Sequence, residues 1–267
     1  MIALPNLLLV GGGRMGSALL AGWREQGLSQ AVVVDPSEAA RALAGEGVTV
    51  VAGAEDIPPG FVPEAVVLAV KPQSAASALP AYGRFAGTAL FISIMAGKTL
   101  AGIGALLGGG AIVRAMPNTP AAVRQGVTVA CAGQGVSAAQ RGLAGALLGA
   151  TGAVAWVDEE ALLDPVTAIS GGGPAYVFLL TELMEQAATA LGLPADLARL
   201  MARQTVIGSA ALMAASAETP EALRVAVTSP GGTTAEALKV LRADDAWPKN
   251  FLEAMKAATE RSRALSG

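Results

Sequence analysis

Short, wholly apolar runs recur through the first part of this chain, and they constrain the fold more than any other feature. LLLV (Leu7–Val10), AVVVD (Ala31–Asp35), AVVLAV (Ala65–Val70) and TALFISIM (Thr88–Met95) are strand-length and bounded by turn residues or polar ends. Runs that are apolar throughout, without alternation, describe strands buried on both faces, as in parallel sheets. Ile112–Ala115 and Val127–Cys131 read as further strands. Between the strands lie helical patterns: Met15–Gly27, Ser37–Ala44 opened by Ser37 as cap, Thr99–Leu107, and Ala138–Leu148 with Ser137 and Gln140 as a capping box. Strands alternating with helices predict an α/β doubly wound parallel sheet. After about Asp158 the texture changes. Tyr176, Leu179, Leu180, Leu183, Met184, Ala187 and Leu191 recur at helical spacing, a long helical run spans Pro194 to about Ala215, and Thr219-Pro220-Glu221 opens another helix. The expectation is two domains: residues 1–158 with the sheet, and residues 159–267 all-helical.

Composition narrows the function. The chain has 267 residues, 53% of them hydrophobic, and a mean hydropathy of +0.53, so a membrane protein has to be considered. Its charge-free runs, such as Pro165–Thr181, are broken by glycine and proline, and none offers the ~20 continuous apolar residues a spanning helix needs. The N-terminus lacks a basic region, and LLLVGGG reads as a strand, not a signal peptide; the expected location is cytoplasmic. One cysteine, Cys131, excludes an internal disulfide or a thiolate cluster. A net charge of −3 without a basic run argues against nucleic acid. There is no histidine. Serine–histidine and cysteine–histidine nucleophiles are therefore excluded, and so are histidine metal sites; no metal is expected. A catalytic proton must come from Thr, Ser, Lys, Tyr, a carboxyl group or water.

Gly11-Gly12-Gly13-Arg14-Met15-Gly16 fits G-x-G-x-x-G between the first strand and the first helix. In a Rossmann-type fold the first glycine permits the tight turn, the second lets the backbone approach a pyrophosphate, and the third lets helix and sheet pack closely. The helix N-terminus offers free N–H groups to the phosphates. Asp35 ends the second strand, near the position where an acidic residue meets a ribose hydroxyl. A carboxylate there favours NAD over NADP, or Asp35-Pro36-Ser37 is only a turn; the choice between NAD(H) and NADP(H) stays open. AVKPQ (Ala69–Gln73), SIMAG (Ser93–Gly97) and MPNTP (Met116–Pro120) all fall on the carboxyl edge of the sheet, where ligands lie. Lys71 reads either as a phosphate or ribose contact or as a solvated strand end. Pro72 stops the strand. Asn118 reads either as an amide presented to a ligand or as a turn residue. SGGGPAYVF (Ser170–Phe178) suits an anion site, a hinge or a close helix contact equally.

SPGGTTAEAL (Ser229–Leu238) places two glycines and two threonines ahead of a helix. Thr233 and Glu236 fit a capping box, with Thr233 as N-cap. Thr234 then stands in the first turn with its hydroxyl free, beside glycine N–H groups suited to a carboxylate.

Taken in order, LLLVGGGRMG, AVKPQ, SIMAG, VRAMPNTPA, SGGGPAYVF and VTSPGGTTAEAL resemble the pyrroline-5-carboxylate reductase family over essentially the whole chain. The resemblance implies an N-terminal Rossmann domain and a helical domain that dimerises, often with further assembly into decamers. It implies NAD(P)H-dependent reduction of 1-pyrroline-5-carboxylate to L-proline. The implied cofactor contacts are Gly11, Gly12, Gly13, Arg14, Met15, Gly16, Asp35, Ala69, Val70, Lys71, Pro72, Ala96 and Gly97. The implied substrate contacts are Asn118, Ser229, Gly231, Gly232, Thr233 and Thr234, with the Thr234 hydroxyl at the ring nitrogen. Arg14 stands where the family often has Asn, Gly172 where it has Ser, and Met95 and Lys98 where small or apolar residues are usual. Three other readings compete: a β-hydroxyacid dehydrogenase, which shares the layout, a Rossmann methyltransferase, which would bind S-adenosylmethionine, and a dinucleotide-binding regulator without turnover. The first needs a lysine in a glycine-rich helical motif, and Lys239, Lys249 and Lys256 lie in none.

Overall fold

A computed structural model describes residues 4–266; residues 1–3 and 267 of the two expected domain ranges lie outside it. The chain forms two compact units. One holds the described residues up to Gly171 together with those from Ala258 onward, and the other is Gly172–Ala257.

The first unit is built on an eight-stranded sheet of order β3-β2-β1-β4-β5-β6-β7-β8. The strands are β1 (Leu7–Val10), β2 (Ala31–Val34), β3 (Val48–Val51), β4 (Ala65–Leu68), β5 (Leu90–Ser93), β6 (Ala111–Met116), β7 (Gly126–Ala132) and β8 (Gly152–Val157). β1 to β6 are mutually parallel. The expected doubly wound parallel sheet is present, and it carries one antiparallel step: β7 runs antiparallel to β6, and β8 parallel to β7. The link from β6 to β7 is only the short 3-10 turn Thr119–Val123 and its flanks, and a parallel return needs a crossover of a dozen residues or more. β3 and β8 are additional to the strands expected. Unlike the core strands, VTVV of β3 and GAVAWV of β8 are only partly buried.

Helix α1 (Arg14–Glu25) buries Ala18, Leu19, Leu20 and Trp23 against one face of the sheet. Trp23 Nε1 donates to the Leu147 carbonyl of α4 (Ala138–Gly149) at 2.8 Å, joining the two helices on that face. The opposite face carries the short α2 (Ala75–Ala78) and α3 (Leu100–Leu107), with Leu79, Tyr82, Phe85, Ile103 and Leu107 in its core. Successive strand residues point to opposite faces, so Leu7 and Leu9 serve one core and Leu8 and Val10 the other. That double burial is why these strands have no polar alternation. The capping box on α4 forms as expected: Ser137 Oγ accepts from Gln140 N–H at 3.2 Å, and Gln140 Oε1 accepts from Ser137 N–H at 2.9 Å. Ser37 does not cap. The segment it precedes is a 3-10 helix, Glu38–Leu43, and the Ser37 hydroxyl turns back to Asp35.

The chain leaves β8 through the 3-10 turn Glu160–Leu162, the short α5 (Leu163–Val166) and a π-helical turn, Thr167–Gly171. The second unit follows with α6 (Gly173–Ala190), α7 (Ala195–Ala215), α8 (Pro220–Ala226) and α9 (Thr233–Leu241). The last helix, α10 (Ala246–Ser266), begins in the second unit and ends in the first. In the first unit Ser262 donates a buried 2.7 Å hydrogen bond to Asp164 Oδ1 of α5. α6 and α7 pack on each other, yet Val177, Phe178, Leu179, Leu183, Ile207 and Leu212 remain exposed in the single chain. Among the described residues no helix is long and apolar enough to cross a membrane.

Candidate active site

The sheet grows outward from β1 to β3, then returns to β4 on the other side of β1. This reversal makes a topological switch point at the carboxyl ends of β1 and β4, the place where doubly wound folds bind ligands. Gly11 follows β1 with φ +101°, and a Cβ there would lie 2.6 Å from the Ala69 carbonyl oxygen. Only glycine fits this turn without strain. A Cβ on Gly16 would collide with the Gly11 carbonyl, so α1 starts hard against the loop. Gly13, at the N-cap of α1, is exposed and has open space where a side chain would stand. The helix cap uses no side chain, and the first N–H groups of a helix have no intrahelical partner. The loop thus presents bare backbone and a positive helix end to an incoming pyrophosphate. These residues fit a dinucleotide. Ala69 and Val70 lie against Gly11 at the end of β4, with Ala69 N–H donating to the Val10 carbonyl at 2.7 Å. Arg14 and Lys71 are exposed, Met15 is half-buried, and Pro72 opens a 3-10 turn after β4.

Asp35 sits one residue past β2, beside this loop. Its Oδ2 accepts from Gly12 N–H at 2.7 Å. Its Oδ1 accepts from Ser37 N–H at 2.8 Å and Ser37 Oγ at 2.6 Å. Partial burial pushes the carboxyl pKa up, but the hydrogen bonds from Ser37 and Gly12 together outweigh it and hold the pKa below the ordinary value. Asp35 is therefore a fixed negative charge that also shapes the glycine loop.

The loop after β5 forms the next part of the edge. Ile94 N–H donates to the Leu68 carbonyl at 3.1 Å, and Met95 N–H to Ser93 Oγ at 3.3 Å. Ala96 is exposed and Gly97 buried. Thr99 caps α3 through a 3.1 Å bond from Gly102 N–H. Glu160, from the exit of β8, reaches this loop: its Oε1 accepts from Leu100 N–H at 2.7 Å and from Arg114 Nη1 at 2.8 Å. Sequence reading missed both charged residues. Arg114 had a signal, a lone charge inside the apolar strand IVRAM, which demands a partner when buried. Glu160 had none, since it lies in an ordinary turn. After β6, Asn118 is buried, with its Oδ1 accepting from Val127 N–H at 3.0 Å. That bond makes Asn118 a brace between the β6 end and β7.

Ser229, Gly231, Gly232, Thr233 and Thr234 lie in the second unit at the start of α9. The capping box expected there does not form. Gly232 is the N-cap, and no side chain caps the helix. Thr233 and Thr234 are both first-turn residues and both exposed. Gly232 N–H donates to the Ser229 carbonyl at 3.0 Å, and a Cβ on Gly232 would strike the Ser229 hydroxyl. The tight turn occupies the backbone that a threonine N-cap would need. It leaves a bare helix end with two free-standing hydroxyls, a stronger anion cradle than a capped one.

The family model described as pyrroline-5-carboxylate reductase dimerisation matches residues 160–265, and one described as NADP oxidoreductase, coenzyme F420-dependent, matches residues 6–97. The pyrroline-5-carboxylate reductase of Pseudomonas aeruginosa is 40% identical over 269 aligned residues, covering 98% of this chain and 97% of that protein. This chain belongs to the pyrroline-5-carboxylate reductase family. Its fold agrees with solved members. The reductase of Coxiella burnetii superposes with a TM-score of 0.90 at 35% identity over 98% of this chain and 99% of that one. The Plasmodium falciparum reductase, solved with NADP bound, superposes with a TM-score of 0.83 at 28% identity over 98% of each chain.

Proposed function

We propose that this chain reduces 1-pyrroline-5-carboxylate to L-proline with NAD(P)H, the last step of proline biosynthesis. The observation that carries the reading is the full-length likeness to pyrroline-5-carboxylate reductases, including 40% identity to the Pseudomonas aeruginosa protein. The bound cofactor supplies a hydride to the C=N carbon. Gly11–Gly16 and the N-terminus of α1 hold the pyrophosphate, Asp35 faces the adenosine ribose, and Ala69–Pro72 with Ala96 and Gly97 line the path to the nicotinamide. The amides of Gly231–Thr234 hold the substrate carboxylate, Ser229 supports their turn, and Asn118 stiffens the β6 end. The Thr234 hydroxyl hydrogen-bonds the ring nitrogen. A threonine hydroxyl is far too weak an acid to protonate an imine, so the imine enters protonated and Thr234 orients it. Placement is the main contribution asked of the protein.

On this reading residues 1–158 carry the cofactor and 159–267 the substrate loop and the dimer contact. The exposed apolar faces of α6 and α7 support a homodimer, with assembly into a decamer as the further step. The protein works in the cytoplasm and takes neither nucleic acid nor membrane as partner. The test is oxidation of NADH and NADPH, followed in parallel with 1-pyrroline-5-carboxylate as acceptor and proline assayed as product. Turnover with proline formed is expected. Cofactor binding without turnover overturns the reaction, and the ratio of the two rates measures what Asp35 selects.

A further inference from the structure

The Ala96–Gly97 loop is held at its far end by a residue from the turn after β8. Arg114 stands in the middle of β6 with its side chain 6% exposed. Its partner Glu160 uses a single oxygen, Oε1, to accept from Arg114 Nη1 at 2.8 Å and from Leu100 N–H at 2.7 Å. Leu100 is the first residue of α3, so the bond fixes where α3 begins and where the preceding loop must end. The near end is tied by Ser93 and by the strand bond from Ile94 to Leu68. Between these ties Gly97 adopts φ +70°, and a Cβ there would lie 2.9 Å from the Leu265 carbonyl oxygen of α10. The loop has little room to shift on that side. A charge-assisted bond at one end of a short loop, with neutral hydrogen bonds at the other, is a firm restraint, and neither Arg114 nor Glu160 pairs with another charge in the described contacts.

We infer that Glu160, oriented by Arg114, is a positioning residue for hydride transfer: it sets the Ala96–Gly97 loop that seats the nicotinamide. This rests on the proposed function, in which Ala96 and Gly97 line the path to the nicotinamide. It makes a prediction that a merely structural ion pair does not. Loosening the loop should affect ligands that carry the nicotinamide and spare those that lack it.

The experiment compares NADH with ADP-ribose, which keeps the pyrophosphate and both riboses but has no nicotinamide. The paired variant Arg114→Met with Glu160→Met removes the acceptor without leaving a buried charge unpaired. Leu100→Pro cuts the same hydrogen bond from the donor side, at a first helical position where proline is tolerated. Glu160→Gln keeps an acceptor oxygen for Leu100 and serves as the conservative rescue. For the first two variants, the NADH Kd and kcat should each worsen by about tenfold while the ADP-ribose Kd stays within about twofold, the scale expected of misplacement. Glu160→Gln should recover most of the loss. Equal weakening of both ligands, or no change in NADH binding and kcat, overturns the inference while leaving the reductase reading in place. Wild-type protein that binds neither ligand and turns nothing over overturns both.

Discussion

In the proposed reaction Thr234 serves the substrate and Asp35 the cofactor, and they differ in kind. Thr234 is exposed at a helix start that no side chain caps, so its hydroxyl is available and little structure depends on it. Thr234→Ala is expected to lower kcat/KM by up to about 10²-fold, the range for one oriented hydrogen bond at a reacting group. Fluorescence titration should find NAD(P)H affinity unchanged. An unaltered kcat/KM removes Thr234 from the mechanism. Asp35 is woven into structure through Gly12 and Ser37. Its folded pKa lies below the unfolded value, so folding favours the charged form. The stabilisation is full above the unfolded pKa of about 3.9 and is lost as pH falls through the folded value. The Tm gap between wild type and Asp35→Asn should therefore be open at neutral pH and close in strong acid. The same variant should raise the NADPH:NADH ratio of kcat/KM, because a carboxylate at this site repels a 2′-phosphate. A ratio that does not move would confine Asp35 to shaping the loop.

At the scale of elements, the same sequence signal gave different outcomes. Ser137-x-x-Gln140 and Thr233-x-x-Glu236 both read as capping boxes, and only the first forms. The difference is the residue before the box. Gly232 takes the N-cap position because the Ser229 turn folds onto it. Ser137→Ala should cost about 1 kcal/mol, the usual value of an N-cap side chain, read as a lower midpoint in urea unfolding. Thr233→Ala should cost much less by the same measurement. Equal losses would show that Thr233 caps α9 in solution. Strand assignment followed a similar division. β1, β2, β4 and β5 are buried on both faces and announced themselves as apolar runs. β3 and β8 are edge strands with exposed residues; their sequences VTVV and GAVAWV are strand-like, and the reading passed over them.

For the whole molecule the open question is what covers α6 and α7. Phe178 is 68% exposed and Ile207 54% exposed in the single chain, and large exposed apolar patches are a mark of interaction surfaces. Light scattering at working concentration should give a dimer or a multiple of one. Phe178→Asp should shift the distribution toward monomer, because an unpaired charge in an apolar contact is costly. A wild-type monomer would remove the dimer from the proposal.

Much of the site was legible because local chemistry writes it into short segments. A glycine turn into a helix and an acid at the end of the second strand are each properties of adjacent residues, and the sequence by itself determined them. It likewise determined the strands of the parallel core, since double burial forces a continuous apolar run. The bare start of α9 was not legible, because TTAE reads as a capping box and only the Ser229–Gly232 turn gives the cap position to Gly232. Only the tertiary structure decided the rest. The reversal of β7 follows from a link too short to cross over. Asn118 became a brace because β7 returned beside it. Glu160 met Leu100 and Arg114 across separations of 60 and 46 residues. Sequence patterns record which face a residue must show, but a contact between distant segments depends on strand order, which no local pattern carries.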